Sequence, residues 1–322
     1  MLVLGGTAWL GGETARAALE DGWEVTCLAR GESGAPPDGA RLVRGDRTAP
    51  DAYAEVAGQD WDAVVDVSRQ PGQVRSAVAA LGGRSGHWAF VSTGNVYAEH
   101  AAPLDEDSDL LAPLPVEVAS AEEYGEGKVA CEQAVAALPE HSVWRAGLIG
   151  GPGDPSDRFG YWVSRFALAG DGPVLVPHVP GQPVQVVDVR DLARWIVRAA
   201  AEHVTGVFNA VGDVLPLDAV LGLAADVAGF TGALVPAEPQ WLLDHDVQHW
   251  MGPRSLPLWL PPDYLGLCQM SPERARTAGF GPRPLSDTLE ATLDDERRRG
   301  LGRDRHAGLG RAEELELIAR LS

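Results

Sequence analysis

The amino-acid sequence predicts an α/β protein with a doubly wound parallel sheet, followed by a smaller and mostly helical lobe. Between Met1 and Ala146, apolar runs of strand length alternate with segments of helix length. The first apolar run leads directly into a glycine-rich turn, residues 5–12. From Leu215 onward the pattern is mostly helical, and a length of 322 residues suits two lobes.

The first unit starts with a strand at Met1–Leu4, and a helix at Glu13–Glu20 leads to a second strand at Trp23–Leu28. This order is typical of the first β-α-β unit in a Rossmann-type dinucleotide-binding fold. Glycines let backbone amides approach a pyrophosphate at the helix N-terminus, where the helix dipole favours an anion. A glycine-rich loop without a ligand is the alternative. The residues expected to contact the cofactor here are Gly5, Thr7, Ala8, Trp9, Leu10 and Gly11.

The end of the second strand selects between the two nicotinamide cofactors. An acidic residue there binds the 2′-hydroxyl of NAD, whereas an arginine accommodates the 2′-phosphate of NADP. The strand ends at Arg30 without an acid, which favours NADP(H). If Arg30 is only a solvated turn residue, NAD(H) remains the alternative. Asp46, after a third strand at Arg41–Val43, could accept a hydrogen bond from the adenine amino group.

The next segments continue the alternation of strands and helices. Residues 52–57 have helix-like spacing, and residues 73–81 form a second helix with one apolar face. The buried-strand pattern of residues 61–67 lies between them. Because cofactors bind at the carboxyl ends of parallel strands, we expect Val67 and Ser68 to face the cofactor.

The strand at His87–Val91 ends in two hydroxyl residues, Ser92 and Thr93. A hydroxyl at this edge of the sheet could hydrogen-bond a substrate oxygen, and ordinary turn chemistry is the alternative. The acidic, proline-bearing segment Pro103–Ser120 is predicted to be a flexible flap over this site.

Tyr124 and Lys128 form the candidate catalytic pair. Lys128 is the only lysine of the chain, and it follows Tyr124 by four residues in a helix predicted over Ala121–Leu138. Residues i and i+4 share one helix face, so the ammonium can hold the tyrosine hydroxyl in an electropositive field. We therefore interpret Tyr124 as a general acid/base and Lys128 as the group that tunes it. A surface tyrosine and lysine at chance spacing are the alternative.

The sequence predicts two domains with a boundary near residue 150. Residues 1–150 are assigned to the dinucleotide-binding domain, and residues 151–322 to the substrate-binding lobe. Residues 184–211 have a strand-helix-strand pattern and are predicted to return to the first domain. A helix is predicted over Ser156–Ala169.

Three features of the second lobe have open interpretations. Two histidines, His245 and His249, lie four apart, but no third ligand is evident, so we predict no metal site. The run Arg297–Arg305 is interpreted as a solvated helix end or loop. A group of aromatic residues could line an apolar or sugar-binding cleft or belong to the core: Trp241, Trp250, Trp259 and Tyr264.

Composition excludes several classes of function. A net charge of −20 argues against a nucleic-acid partner and against binding to an anionic membrane surface. No apolar run is long enough for a membrane span, and no signal peptide is evident. Three widely spaced cysteines predict neither disulfides nor a zinc site. We expect a cytoplasmic protein with a small-molecule substrate, and a homodimer remains an alternative to a monomer.

These pieces together resemble the short-chain dehydrogenase/reductase superfamily, in its extended or atypical branch of NAD-dependent epimerase/dehydratase-like proteins. The resemblance covers most of the chain. It rests on four motifs: Gly5-Gly6-Thr7-x-x-Leu10-Gly11, Phe90-Val91-Ser92-Thr93-x-x-Val96-Tyr97, Tyr124-x-x-x-Lys128, and Arg145-x-Gly147-x-x-Gly150-x-Pro152-Gly153-Asp154.

The resemblance implies a role for individual residues. Thr93 falls on the family's catalytic Ser/Thr and Tyr124 on its catalytic Tyr. Lys128 falls on the lysine that also binds the nicotinamide ribose, and Leu148 on the residue whose backbone holds the carboxamide. Where nucleotide-sugar dehydratases carry an Asp-Glu pair after the threonine, this chain has Gly94-Asn95, which argues against dehydratase activity.

The sequence therefore predicts an NADP(H)-dependent oxidoreductase that acts on a carbonyl or secondary alcohol of a small polar or sugar-like molecule. The first alternative is a sugar or nucleotide-sugar epimerase with tightly held NAD. The second is a cofactor-binding regulator without turnover, against which the intact Thr93, Tyr124 and Lys128 argue.

Overall fold

A computed structural model of the chain describes residues 1–321. The strands, numbered in chain order, are β1 Leu2–Leu4, β2 Thr26–Ala29, β3 Arg41–Arg44, β4 Val64–Asp66, β5 Trp88–Thr93, β6 His141–Ala146, β7 Leu148–Gly150, β8 Val174–Pro177, β9 Pro183–Asp188, β10 Gly206–Ala210, β11 Val214–Pro216, β12 Leu234–Ala237, β13 Gln248–His249 and β14 Ser255–Leu256.

The helices lie mostly between these strands and after them. They are α1 Trp9–Glu20, α2 Pro71–Leu81, α3 Tyr124–Val135, α4 Gly160–Ala169, α5 Val189–Ala201, α6 Leu217–Ala228, α7 Pro239–Asp244, α8 Glu273–Thr277, α9 Leu285–Arg299 and α10 Arg311–Leu321. Short 3-10 helices cover Gly82–Arg84, Gly94–Val96 and Pro262–Cys268. Local chemistry sets some of these ends: Pro71 begins α2, where its missing N–H has no helical partner to lose.

Seven parallel strands form the main sheet in the order β3-β2-β1-β4-β5-β6-β10. The order reverses between β1 and β4, which is the Rossmann arrangement, and the predicted fold class is confirmed. The carboxyl ends of β1, β4 and β5 lie at one edge of this sheet. That edge therefore carries Gly5, Val67 and Thr93, which follow or end those three strands.

Helices cover both faces of the main sheet, because alternate strand residues point in opposite directions. Val3 of β1 packs in a cluster with residues of α1 and α5, whereas Leu2 and Leu4 pack in a second cluster with residues of α2 and α3. All three side chains are fully buried. Burying a leucine or valine side chain stabilises the fold by about 1.5–3 kcal/mol, so packing on both faces of the sheet stabilises β1.

The C-terminal part has its own hydrophobic core, built around α4, α6 and α9. Trp162, Trp259 and Tyr161 are its largest buried side chains. Small sheets lie beside this core: β7-β9-β11, β8-β12 and β13-β14. The strand β9 thus belongs to a small sheet, while α5 packs against α1 and β10 joins the main sheet. The domain boundary at residue 150 stays a prediction.

Two sequence expectations about the first half are wrong. Residues 51–58 form successive hydrogen-bonded turns and no helix, with the Tyr53 carbonyl accepting from the amides of Val56 and Ala57. The segment 103–120 is not a free flap. The Leu111 amide donates to the Val96 carbonyl at 2.9 Å, and further backbone bonds tie the segment to α3 and to its own neighbours.

The arginine run at the end of α9 is not a solvated segment, because several of its members hold buried carboxylates. Asp157 and Glu296 have side chains that are only 1% and 2% exposed. Arg299, Arg303 and Arg305 pair with them. Burial alone would raise the pKa of Asp157, but the Arg303 hydrogen bond and neighbouring arginines outweigh it, so the pKa is lowered. Sequence reasoning missed this cluster because its partners lie far apart along the chain.

The aromatic residues of the second lobe have different environments. Trp259 belongs to the core, Trp241 and Trp250 pack at its margin, and Tyr264 is 47% exposed. The His245 ring stacks on Trp241 with centroids 3.9 Å apart, and the His249 ring packs at a tilt against Trp259 with centroids 3.8 Å apart. Both histidines thus pack against aromatic rings. No helix within residues 1–321 is both long and apolar enough to cross a membrane.

Candidate active site

The glycine-rich loop between β1 and α1 is shaped by close backbone approaches. Gly5 has φ +94°, a conformation that side chains disfavour, and a Cβ there would lie 2.7 Å from Cγ2 of Val67. A Cβ on Gly11 would lie 2.3 Å from the Gly5 carbonyl oxygen. These two glycines let the loop fold tightly over the first turn of α1. The resulting cradle has the space and the free amides that a pyrophosphate needs.

A cavity of about 310 Å³ opens next to this loop at the carboxyl edge of the sheet. It is lined by seven of the residues predicted to bind the cofactor: Gly5, Thr7, Ala8, Arg30, Asp46, Val67 and Ser68. The other five predicted residues do not line it. Leu10 packs on the core, Gly11 is buried in α1, and Trp9 faces the loop after β7. The remaining two, Lys128 and Leu148, are buried in α3 and β7. The cavity therefore fits the adenosine half of a dinucleotide.

Arg47 is a cavity-lining residue that sequence reasoning missed. Its guanidinium binds the carboxylate of Asp66 through two parallel hydrogen bonds of 2.8 and 2.7 Å. Both side chains are buried. Burial acts to lower the pKa of Arg47, but the ion pair with Asp66 outweighs it and raises the pKa. Asp66 also accepts the Ser68 amide at 2.9 Å, so this pair fixes the strand end that faces the cavity. The Gly-Asp-Arg sequence after β3 was the available signal.

Opposite charges meet where β2 ends. Arg30 forms an ion pair with Glu32 at 3.1 Å, and both side chains are more than 60% exposed. Arg44 adds a second cation, because its Nη1 donates to the Arg30 carbonyl at 3.1 Å. Asp46 accepts the amide and hydroxyl of Thr48, which lowers its pKa. This end of the cavity thus combines the Arg30 guanidinium with the carboxylates of Glu32 and Asp46, and Arg44 lies beside it.

Lys128 is a buried cation without a carboxylate partner among residues 1–321. Its side chain is 3% exposed, and Nζ donates to the carbonyls of Ser68 at 2.8 Å and Val91 at 2.5 Å. Nζ also lies 4.7 Å from the centre of the Phe90 ring. An ammonium has three N–H donors, so one remains for another acceptor. A buried charge is costly unless it is well partnered, and these contacts hold it at the carboxyl ends of β4 and β5.

Tyr124 begins α3, one turn before Lys128, and its side chain is partly buried. The first turn of α3 packs on the turn that follows Thr93: a Cβ on Gly125 would lie 2.4 Å from the Asn95 carbonyl oxygen. Gly125 is therefore required for this approach. Thr93 is 8% exposed and its Oγ1 accepts the Asn95 amide at 3.3 Å. The structure thus brings the elements carrying all three predicted catalytic residues together.

Ser92 has an internal role that separates it from Thr93. Its hydroxyl donates to Glu132, and Glu132 pairs with Arg145 at 2.9 Å. The network continues to the hydroxyl of Tyr97, whose pKa is raised to about 12 by burial despite the neighbouring Arg145. Asn209 accepts from Tyr97 at 2.6 Å. These buried groups connect β5, α3, β6 and β10 behind the site.

The loop after β7 faces the glycine-rich loop. Trp9 Nε1 donates to the Pro152 carbonyl at 2.8 Å. Leu148, the residue expected to hold the carboxamide, is a buried residue of β7 at the start of this segment. Arg158 lies further along, and its guanidinium carbon is 5.1 Å from the centre of the Trp250 ring. Sequence reasoning missed Arg158, although an arginine after a Gly-Pro-Gly turn was a visible signal.

One group of residues within 1–321 has the spacing of metal ligands. The donor atoms of His87, Glu140 and His203 lie within 4.8 Å of one another. His87 directly precedes β5, at the amino end of the strand that carries Thr93 at its carboxyl end. Burial, with His203 and His141, lowers the pKa of His87 to about 4. This group is thus separate from the Tyr124 site.

Residues 1–81 match the model of the NAD dependent epimerase/dehydratase family. They run from β1 to the end of α2 and include the glycine-rich loop and the cavity. A curated relative, 2′-dehydrokanamycin reductase of Streptomyces kanamyceticus, is 29% identical over 235 residues. That match covers 71% of this chain and 61% of the relative, so the chain spans less than two thirds of the relative's length.

Solved structures share the fold over nearly the whole chain. A putative epimerase from Burkholderia cenocepacia has a TM-score of 0.68 at 23% identity, covering 92% of this chain and 97% of the other. The UDP-glucuronic acid 4-epimerase from Bacillus cereus, solved in complex with NAD, has a TM-score of 0.66 at 18% identity, covering 92% and 98%. Together with the family match, these comparisons confirm the resemblance that the sequence motifs predicted.

Proposed function

From its place in the short-chain dehydrogenase/reductase superfamily, we propose that this chain is an NADP(H)-dependent oxidoreductase. It reduces a carbonyl, or oxidises a secondary alcohol, on a small polar or sugar-like molecule. The observation that carries the proposal is the buried Lys128, fixed by the Ser68 and Val91 carbonyls one helical turn after Tyr124. Burying an ammonium without a carboxylate partner, as among residues 1–321, is costly. That cost is explained if the remaining N–H and the positive charge act on cofactor or substrate in the site.

A nicotinamide cofactor fits the residues present. The Gly5–Gly11 cradle would hold the pyrophosphate, and the cavity lined by Asp46, Val67 and Ser68 would hold the adenosine. By resemblance, Lys128 would bind the nicotinamide ribose and the Leu148 backbone the carboxamide. When bound, the cofactor supplies or accepts the hydride.

The chain's own residues would handle the substrate oxygen. In reduction, Tyr124 donates its phenolic proton to that oxygen, and the Thr93 hydroxyl hydrogen-bonds the same atom. Lys128 supplies positive charge on the Tyr124 face of α3, which favours the tyrosinate left after proton transfer. The Ser92–Glu132–Arg145 network holds α3 against β5 and β6, and so fixes the position of Tyr124.

The preference for NADP(H) rests on the cations at the end of β2. Arg44 adds a second guanidinium beside the end of β2, since it donates to the Arg30 carbonyl. Glu32 opposes this, because it pairs with Arg30. An ion pair this exposed contributes only about 0–1 kcal/mol, so a phosphate dianion can displace it. We therefore keep NADP(H) as the proposed cofactor, with NAD(H) as the alternative.

Tyr124→Phe tests the proposed acid/base role. It should reduce turnover of a ketone or aldehyde by about 10²- to 10⁴-fold, because the substrate oxygen loses its proton donor. The dissociation constant of NADPH, measured by fluorescence titration, should change by less than about twofold. Tyr264→Phe is the matched control, since its ring is exposed and contacts His100. Unchanged turnover in Tyr124→Phe would remove Tyr124 from the mechanism.

An epimerase with tightly held NAD is the second candidate, favoured by the Glu32 carboxylate at the end of β2 and by the NAD-bound epimerase of the same fold. Denaturing the purified protein and identifying released nucleotide by mass spectrometry separates the two. Stoichiometric NAD⁺ supports the epimerase. An empty protein that prefers NADPH over NADH by tenfold or more, about 1.4 kcal/mol, supports the reductase. A protein that binds nucleotide but turns over no carbonyl would be a regulator.

A further inference from the structure

Arg158 is a guanidinium without a carboxylate partner. No Asp or Glu among residues 1–321 lies within 4.0 Å of its nitrogens. Its hydrogen bonds go to a residue two positions earlier. Nε donates to the Ser156 hydroxyl at 3.1 Å, and the backbone amide donates to the same oxygen at 3.4 Å. The two Nη atoms, which carry four N–H donors, have no protein acceptor in this part of the structure.

The acids beside Arg158 in sequence are bound to other groups. Asp154 accepts the amide and hydroxyl of Ser156 at 2.8 and 2.7 Å. Asp157 pairs with Arg299 and Arg303. Asp154 is thus used within the loop and Asp157 by the arginines at the end of α9, and neither forms an ion pair with Arg158.

Packing holds the Arg158 side chain in place. Its guanidinium carbon lies 5.1 Å from the centre of the Trp250 ring, a cation–π arrangement that orients the planar group while leaving its edge accessible. Trp250 has φ +63°, an unusual conformation for a tryptophan, and packs at the margin of the second core. The side chain is partly buried, so its charge is less screened than at the surface.

The loop that carries Arg158 lies next to the candidate site. Burial lowers the pKa of its guanidinium, and the Asp154 carboxylate and the Tyr124 hydroxyl are the neighbouring groups that act against this shift. The loop carrying Arg158 is also tied to the glycine-rich loop, through the Trp9 to Pro152 hydrogen bond of 2.8 Å. Arg158 thus belongs to a loop that contacts the glycine-rich loop, and Tyr124 is among its electrostatic neighbours.

We propose that Arg158 binds an anionic oxygen group, a carboxylate or a phosphate, of the substrate whose carbonyl meets Tyr124. This inference rests on the proposed carbonyl chemistry and adds the substrate's charge to it. The net charge of −20 does not oppose it, because charges more than about 8 Å away are largely screened at physiological salt. The nearby guanidinium then decides which end of a small polar molecule enters the second lobe.

Three aldehydes that differ in charge test the proposal in the presence of NADPH: 4-carboxybenzaldehyde, 4-formylphenyl phosphate and the neutral methyl 4-formylbenzoate. The wild type should favour one or both anions over the ester in kcat/KM by at least about tenfold. Arg158→Gln should lose about 10- to 100-fold for the favoured anion, mainly in KM, and change little for the ester. Arg158→Lys should keep part of the preference. Whichever anion is favoured identifies carboxylate or phosphate as the group.

Arg84→Gln is the matched control, since Arg84 is 49% exposed and pairs with Asp60. Both residues precede strands, at the amino edge of the sheet and away from the candidate site. It should behave as the wild type. The dissociation constant of NADPH should be the same in Arg158→Gln as in the wild type, which excludes an effect through the cofactor. An anion preference that survives in Arg158→Gln, or no preference in a wild type that turns over the ester, overturns the proposal.

A binding measurement separates this proposal from the proposed function. Isothermal titration calorimetry of the NADP⁺-saturated protein with benzoate and with inorganic phosphate should show binding that Arg158→Gln abolishes. If no aldehyde is reduced but this binding occurs, the anion site stands and the reductase proposal fails. If the ester is reduced in a Tyr124-dependent manner and neither anion binds, the reductase proposal stands and the anion site fails.

Discussion

Replacing Gly11 by alanine tests whether the close approach of α1 to Gly5 sets the shape of the glycine-rich loop. The added Cβ would lie 2.3 Å from the Gly5 carbonyl oxygen and 2.9 Å from its carbon. Ordinary contact begins at 3.4 Å, so the backbone must move by about 1.1 Å at the cradle. Overpacking of this kind costs about 1–3 kcal/mol, against a gain of up to about 1 kcal/mol in helix propensity.

Gly12→Ala is the matched control, because it adds the same methyl group to the next residue of the same helix. Its Cβ would lie 3.6 Å from the nearest atom, the Gly6 carbonyl oxygen, which is ordinary contact. It should therefore stabilise the protein by up to about 1 kcal/mol through helix propensity. The two variants should differ by about 1–3 kcal/mol in the free energy of unfolding.

Urea unfolding followed by far-UV circular dichroism measures that difference, and titration with NADPH measures the effect on the loop. Gly11→Ala should weaken NADPH binding by at least about tenfold, since the amides at the N-terminus of α1 would be displaced. Gly12→Ala should bind NADPH as the wild type does. Equal stability and equal NADPH affinity in both variants would refute the role assigned to the Gly5–Gly11 approach.

Other expected outcomes follow from the buried and charged groups. Arg145→Met should destabilise the fold by about 3–5 kcal/mol in urea unfolding because Glu132 is left buried and unpaired, whereas the double variant Arg145→Met/Glu132→Leu should recover most of that loss; a double variant no more stable than the single one would contradict this. Glu32→Gln should raise affinity for NADPH more than for NADH, because it frees Arg30 for a 2′-phosphate, and titration with both cofactors checks the sign. Three buried cysteines should react with a thiol reagent such as DTNB only after urea has unfolded the protein: Cys27, Cys131 and Cys268. Burial raises the pKa of their thiols to about 11 or 12, so rapid labelling of the folded protein would count against the packing described.

The cofactor end of the site illustrates how local and distant information combine. Arg30 follows directly from the sequence as the residue at the end of β2. Glu32, its ion-pair partner, is only two residues away in the sequence. The sequence alone does not show which other side chains line the same cavity. The convergence of Arg30, Arg44 and Asp46 arises because β2 and β3 are adjacent parallel strands whose carboxyl ends meet.

The sequence by itself determined the features that act over a few residues. Glycine spacing predicted the loop before α1, and apolar runs of strand length predicted the strands of the main sheet. The helical period placed Tyr124 and Lys128 one turn apart. These predictions succeeded because backbone conformation and side-chain period are local properties. The helix expected at residues 52–57 failed because spacing alone cannot distinguish a helix from a chain of turns.

Only the tertiary structure decided which charged groups meet. The buried pair of Arg47 and Asp66 joins the loop after β3 to the end of β4, and the arginines at the end of α9 reach Asp157 across more than a hundred residues. Arg158, which lies over the Trp250 ring, has no carboxylate partner among residues 1–321 because the acids beside it bind other groups. Ion pairs depend on distances of a few ångströms between segments that folding brings together, and a one-dimensional pattern does not encode those distances.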